Sequence, residues 1–433
     1  MTPGARIAAA GELLDAIDAS RQPAERLIRD WFRTRRYAGS GDRRAIGERV
    51  FRVLRRRAEL DWRLNSEKLL SDNKLRSILD AMIENGETAV LAGLDGPHGP
   101  GMPDSATLSG LRAAVARDPG AAPDPVRGNY PDFLDPAFRA VFGSRLAAET
   151  AALSDDMAAV DLRVNLGRTS RGAVIARLAA DGIAAAPFGW SPATLRLEGR
   201  PRIDAHPVIL DGLAEVQDAA SQLVALLLDA QPGERVADTC AGAGGKTLAL
   251  AMAMQGQGTI HALDVDGRRL QRLVERAARA ETTIVRTATI DPSGPFPDIL
   301  QGRMDRVLVD APCSGTGTWR RQPELRWRLS PEEVAHFHDR QVDILDRAAA
   351  LLRPGGRLVY ATCSLLPDEN ETVVTDLRAR RPDLAPLDAA ALLAEAGVSG
   401  GEGLVTPAGH LRLTPFSHGT DGFFAAAFEA PLR

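Results

Sequence analysis

Two of the three cysteines in this 433-residue chain sit in closely matched surroundings. Cys313 lies in Asp310-Ala311-Pro312-Cys313-Ser314-Gly315-Thr316-Gly317, and Cys363 in Tyr360-Ala361-Thr362-Cys363-Ser364. Each follows a short β-forming run, Arg306–Asp310 and Arg357–Thr362. If these strands are sheet neighbours, about 4.8 Å apart, the two thiols converge at the carboxyl edge of one sheet. A lone cysteine is ordinarily an inert core residue. Two of them in Ser- and Gly-rich turns at one edge point instead to covalent catalysis, with one thiolate as nucleophile and a second group to move a proton.

Such a pair suits methyl transfer to carbon 5 of cytosine. That carbon is a poor nucleophile until a thiolate adds at carbon 6; afterwards the carbon 5 proton must leave and the cysteine must be expelled. Asp310 could hydrogen-bond the ring near nitrogen 3, and a local charge such as Lys246 favours a thiolate. The residues alone do not order the two cysteines.

A second stretch, Ala237-Asp238-Thr239-Cys240-Ala241-Gly242-Ala243-Gly244-Gly245-Lys246-Thr247, reads as a strand emptying into a glycine turn that opens a helix. Backbone can approach a ligand there, and a helix N-terminus offers unpaired N–H groups. It is no Walker A loop, because Cys240 stands where the first glycine belongs, and no strict G-x-G-x-x-G, because Thr247 stands at the third. A nucleotide-like ligand is expected. Asp264 closes the next strand, where a carboxylate can accept from both ribose hydroxyls of an adenosine cofactor. Asp291, after the β-prone run Thr283–Ile290, could reach the adenine. Cys240 is expected to line the turn without reacting, and no metal is expected. Alone, these features fit a nicotinamide oxidoreductase as well; the cysteine loops, which bring no obvious His or Tyr–Lys pair for proton transfer, argue against it.

The elements that must position these residues are legible as periodicities. From Ala5 to about Asn65 apolar residues recur at helical spacing, as in Leu13, Leu14 and Ile17, and then Ile46, Val50, Phe51 and Leu54. More helix follows at Leu75–Ala92 and Leu108–Ala116, with Gly/Pro-rich breaks at 96–103 and 119–125. The second break is taken as a boundary, giving a helical domain over 1–122, a small α+β adaptor over 123–206 and an α/β domain over 207–433. In the adaptor a strand is expected at Val160–Asn165 and a helix at Ala173–Ala180. In the last domain strand, turn and helix alternate: strands at Arg235–Thr239, Thr259–Asp264, Arg306–Asp310 and Arg357–Thr362, and helices at Lys246–Met254, Arg268–Ala280 and Asp368 to about Arg378. That rhythm implies a mainly parallel sheet covered on both faces.

Net charge is −4, but Met1–Arg63 carries fifteen arginines and no lysine against nine acids, so the front is basic. Trp319-Arg320-Arg321-Gln322-Pro323-Glu324-Leu325-Arg326-Trp327-Arg328 interleaves arginine with tryptophan, a pattern that can hold single-stranded RNA, and its closeness to Cys313 favours that reading. The run Arg52, Arg55, Arg56 and Arg57 is read as a solvated helix face. Three cysteines are too few for a disulfide scaffold, and neither a signal-peptide core nor a run of about 18 uncharged apolar residues occurs. A cytoplasmic protein without membrane contact is expected, with a monomer favoured.

At these residues the chain resembles the Nop/Sun family of RNA cytosine-5 methyltransferases, in its bacterial small-subunit ribosomal RNA branch. The resemblance rests on Asp310–Gly317, on Thr362-Cys363-Ser364 with Pro367-Asp368-Glu369-Asn370-Glu371, and on Val216-Gln217-Asp218-Ala219-Ala220-Ser221. Leu162-Arg163-Val164-Asn165 and Asp421-Gly422-Phe423-Phe424 add to it. It implies a Rossmann-like class I methyltransferase sheet behind an all-α NusB-like RNA-binding domain, with S-adenosylmethionine as cofactor. It further implies Cys363 as nucleophile, Cys313 as the residue that assists product release, and Cys240–Lys246, Asp264, Asp291 and Asp310 around the cofactor. The chain departs from the family at Ala241-Gly242-Ala243, where Ala-Ala-Pro is usual. The implied partner is RNA, 16S rRNA or a small-subunit precursor. The alternatives are the same chemistry on tRNA, or a non-catalytic ribosome-assembly RNA-binding factor.

Overall fold

The computed structural model describes residues 1–155, 157–398 and 400–432. They form two compact units: Met1–Asp155 together with Trp319–Ser330, and Asp156–Thr318 together with Pro331–Arg433.

The first unit is helical. Helices Pro3–Asp18, Ser40–Ser66 and Asn73–Asn85 bury the residues whose spacing announced them, including Leu13, Leu14, Ile17, Ile46, Val50 and Leu54. Side-chain caps start the helices where the sequence provides them: Thr2 accepts from Ala5 N–H, and Asp72 from Leu75 N–H. The compact unit does not stop at 122. Helices Asp135–Phe142 and Leu146–Ser154 lie within it. Tyr130, Phe138 and Phe142 are buried, with Phe138 edge-on to Tyr130 and tilted against Phe142, while Asn129 Oδ1 accepts from Ala58 N–H at 2.9 Å. Aromatic burial carries the chain past the proline-rich break.

Two expectations about arginine are corrected here. The segment 319–328 is not an open RNA platform. Trp319 is 1% exposed and packs edge-on to Phe138, and Arg326 is fully buried. The guanidinium of Arg326 donates to Asn129 O, Leu153 O and Ser154 Oγ, and Trp327 Nε1–H to Leu54 O. These side chains satisfy backbone carbonyls that would otherwise be buried unpaired. Nor is the 52–57 run a plain solvated face. Arg52 makes a two-pronged pair with the buried Asp80, Arg56 bonds Glu59 and Glu84, and Arg57 bonds Asp18.

The second unit holds two sheets. A small antiparallel one, ordered β2-β3-β1-β4, comprises β1 (Asp161–Val164), β2 (Ala185–Pro187), β3 (Thr194–Leu197) and β4 (Ala214–Val216). The large one contains β5 (Arg235–Asp238), β6 (Thr259–Asp264), β7 (Val285–Thr289), β8 (Met304–Asp310), β9 (Leu352–Thr362), β10 (Ala385–Leu387), β11 (Leu411–Leu413) and β12 (Phe423–Glu429). Its order is β10-β12-β9-β8-β5-β6-β7, with β11 paired to β12. Strands β5 to β9 are parallel, and the expected strands are among them. The antiparallel edge of β10, β11 and β12 was not anticipated; β12 is Phe-Phe-Ala-Ala-Ala-Phe-Glu, whose weak alternation reflects burial on both faces.

The order reverses at β5, which pairs with β6 on one side and β8 on the other, so the two halves diverge in front of its carboxyl end. Strands β8 and β9 are direct neighbours, with Asp310 opposite Ala361. Both cysteine loops therefore leave adjacent strand ends. Among the described residues no helix is long and apolar enough to cross a membrane.

Candidate active site

A cavity of about 720 Å³ opens at the carboxyl ends of β5, β6, β8 and β9. Cys240, Asp264, Lys246, Asp310, Cys313 and Cys363 all line it. The two sulfurs are 3.3 Å apart. The half-buried Cys313 thiol is pushed well above its ordinary value by its hydrogen bond with Cys363, then by burial and by the charge on Glu369. It therefore holds its proton and can donate S–H toward Cys363. Cys240 is also pushed up, by burial and by Asp238, Asp310 and Asp264, which suits an unreactive wall.

Lys246 projects from the first turn of helix Gly245–Ala253, and its Nζ donates to Asp310 Oδ2 at 2.8 Å. The ammonium also lies 5.0 Å from the Phe423 ring centroid. Asp264 receives Gly242 N–H and Asp266 N–H, each at 2.8 Å, which fixes its carboxylate at the strand end. Gly242 and Gly244 both have positive φ, +56° and +85°. Gly244 faces away from the cavity: a Cβ there would lie 2.1 Å from Leu273, so it permits the turn to rest on helix Gly267–Arg279. The adaptor braces the same turn. Arg163 donates to Gly245 O and to Gln217, and Arg276, paired with Glu215, donates to Ala243 O.

Asp238 ends β5, just before the glycine turn, and its sequence pattern signals no role. Its Oδ2 accepts from Thr247 Oγ1 at 2.7 Å, whereas Oδ1 is buried with no partner. Burial raises this carboxyl to about 7. An orphaned acceptor in the wall, carboxylates at Asp264 and Asp310, and the N–H groups of a helix start form a donor and acceptor set that fits an amino acid joined to a nucleoside. Asp291 stands apart. It is exposed and outside the lining, between the lining residues Ile290 and Pro292, with Oδ1 taken by Ser293 N–H and Gly294 N–H.

The sequence reading also missed what holds the two loops in contact. Gly317 N–H donates to Cys363 O, Gly422 N–H donates to Gly317 O, and a Cβ on Gly317 would lie 2.2 Å from Gly422 O. Thr316 Oγ1 accepts from Leu365 N–H, and Thr362 Oγ1 donates to Asn370 Oδ1. The signal available was the repeated Cys-Ser pair and the polar run Asp368–Glu371.

Comparison with known proteins adds the following. A family profile described as 16S rRNA methyltransferase RsmB/F matches residues 225–429, and the ferredoxin-like domain of RsmF/B-like methyltransferases matches residues 130–204. A Synechocystis protein named probable ribosomal RNA small subunit methyltransferase B is 35% identical over 69% of this chain and 66% of its own. A Bacillus subtilis protein of the same name is 30% identical over 71% and 69%. A Pectobacterium carotovorum ribosomal RNA small subunit methyltransferase B is 36% identical over 61% and 58%, so the chain spans under two thirds of some curated relatives. Among solved structures, PH0851 aligns over 99% of both chains with 25% identity and TM-score 0.77. A methyltransferase homologue from Pyrococcus horikoshii aligns over 72% of this chain and all of its own, with 28% identity and TM-score 0.60.

Proposed function

The chain belongs to the 16S rRNA methyltransferase RsmB/F family, a methyltransferase family that uses S-adenosylmethionine, and on that premise we propose that it methylates carbon 5 of a cytosine in 16S rRNA. The observation that carries the reading is the 3.3 Å contact between Cys313 and Cys363 at the ends of neighbouring parallel strands. S-adenosylmethionine supplies an electrophilic methyl group when bound. The turn Cys240-Ala241-Gly242-Ala243-Gly244-Gly245-Lys246, with Asp264 and Asp310, would hold it, and Asp291 would reach it from outside the cavity lining.

The target base leaves its stack, because carbon 6 is closed to a thiol inside a helix. The Cys363 thiolate adds to carbon 6, and its electron pair makes carbon 5 nucleophilic. Cys313, whose proton is tightly held, donates S–H to Cys363 before attack and so orients the nucleophile. Asp310, held by Lys246, faces the ring near nitrogen 3. Once carbon 5 is methylated, Cys313 gives up its own thiol proton to solvent and its sulfur takes the carbon 5 proton, and the electron pair left on carbon 5 expels Cys363 as the carbon–sulfur bond breaks. The cytoplasm, where free thiols such as these three persist, is the proposed location.

The test is incorporation of labelled methyl into unmodified small-subunit RNA by wild type, Cys363→Ala and Cys313→Ala, with gels that retain covalent protein–RNA adducts. Wild type should yield 5-methylcytosine, Cys363→Ala neither product nor adduct, and Cys313→Ala a persistent adduct. Methylation by Cys363→Ala would overturn the nucleophile, and activity on tRNA alone would overturn the substrate.

A further inference from the structure

Glu369 is fully buried, yet among the described residues no lysine or arginine bonds its carboxylate. Four donors converge on it instead. Ser314 N–H (2.8 Å) and Gln341 Nε2–H (3.0 Å) reach Oε1, while the hydroxyls of Ser314 and Ser364 (2.5 Å from Ser364) reach Oε2. Burial pushes the Glu369 carboxyl up, and the hydrogen bonds from Ser314, Ser364 and Gln341 oppose that push; an ionised carboxylate is acceptor-only, and these four donors match that state. Ser314 follows Cys313, and Ser364 follows Cys363, so one carboxylate clasps the residue next to each thiol. The clasp is itself anchored: Gln341 Nε2 also donates to Pro312 O, and Tyr360 O–H donates to Glu369 O at 2.6 Å. Glu369 touches neither sulfur directly.

We propose that Glu369 is a positioning residue for the methyl transfer: as an ionised carboxylate it ties the two cysteine loops together and sets the distance at which Cys313 and Cys363 meet. The inference rests on the two-thiol reading above. Its charge acts in the same direction as its geometry. A buried anion near Cys313 disfavours a second anion there, so Cys313 keeps its proton.

Geometry and charge separate experimentally. Glu369→Gln keeps the acceptor facing Ser314 N–H and Gln341 and lets both serine hydroxyls turn to accept, whereas Glu369→Ala removes the clasp; Ser364→Ala removes one arm where Glu369→Ala does not fold. Three readouts are taken on the full-length protein. The first is the rate at which diamide, itself reduced to the hydrazine, joins the two thiols as a Cys313–Cys363 disulfide, followed by peptide mass spectrometry without RNA. The second is kcat and KM for RNA, and the third is the pH profile of kcat.

Glu369→Ala and Ser364→Ala should slow disulfide formation about tenfold or more and lower kcat in step, with KM for RNA within about threefold. Glu369→Gln should form the disulfide nearly as fast as wild type but move the limb of the profile that reports Cys313 to lower pH by about one unit. Disulfide rates in Glu369→Ala and Ser364→Ala equal to wild type, or a Glu369→Gln profile that superimposes on wild type, would overturn the proposal. If wild type forms no 5-methylcytosine and no adduct, the functional reading fails, and the disulfide rates still decide whether Glu369 sets the thiol contact.

Discussion

Two segments that nearly touch in sequence, 310–317 and 319–328, meet opposite fates. Both mix charged, polar and special residues, and both look functional on paper. The first ends a parallel strand and opens onto the cavity with Asp310 and Cys313. The second belongs to the helical unit, where Trp319 is walled in by its packing and the terminal nitrogens of Arg326 donate to two carbonyls and a hydroxyl. The lesson concerns what a polar group is left to do. Both terminal nitrogens of Arg326 are bonded within its unit, whereas Asp238 Oδ1 in the cavity wall has no hydrogen-bond partner among the described residues. An unmet polar atom beside a cavity is a stronger sign of a ligand than a suggestive residue pattern.

That contrast can be broken by experiment. The largest effect should come from Cys363→Ala, which is expected to lower turnover by at least about 10⁴-fold while melting within about 2 °C of wild type. Arg326→Ala should do the reverse. Losing a buried guanidinium that serves three acceptors costs about 3 to 5 kcal/mol of stability in denaturant titration, while the protein that remains folded keeps its RNA affinity. If Arg326→Ala instead melts normally and loses RNA, segment 319–328 is an RNA contact after all.

A subtler effect belongs to Asp238. Its folded carboxyl titrates near 7 against 3.8 unfolded, so its contribution is fully present below pH 3.8 and is lost as pH rises through 7. Relative to Asp238→Asn, the wild type without methyl donor should lose about 2 to 3 kcal/mol between pH 5 and pH 8. A pH-independent gap would mean that a cation compensates the carboxylate. The smallest effect is expected at Asp291, whose Oδ1 is already taken by its own turn. Asp291→Ala should weaken S-adenosylmethionine binding by about fivefold in calorimetry, less than Asp264→Ala, which removes a carboxylate fixed inside the cavity wall. Equal losses at the two positions would show that the donor draws Asp291 inward.

How much was legible follows from range. Periodicity over ten to twenty residues is a local property, so the front helices, the strands Arg235–Asp238 and Thr259–Asp264, and the Arg357–Thr362 part of Leu352–Thr362 could be read from pattern. The glycine turn was readable for the same reason, since positive φ at Gly242 and Gly244 is a demand on single residues. Local pattern and compactness part company after 122, where proline and glycine mark a break in local structure while Tyr130 and Phe138 carry the helical core onward.

By itself, the sequence determined the chemistry available: two thiols in like turns, a lysine and carboxylates near a glycine turn, and strands to carry them. Only the tertiary structure decided which of those groups meet. Register between β8 and β9 puts Cys313 and Cys363 in contact across fifty residues of chain, and burial turns Arg326 into a structural tie and Glu369 into a clasp. Hydrogen-bond partners and desolvation belong to the folded arrangement of distant segments, and a residue's type states what it can bond to without saying what will be there.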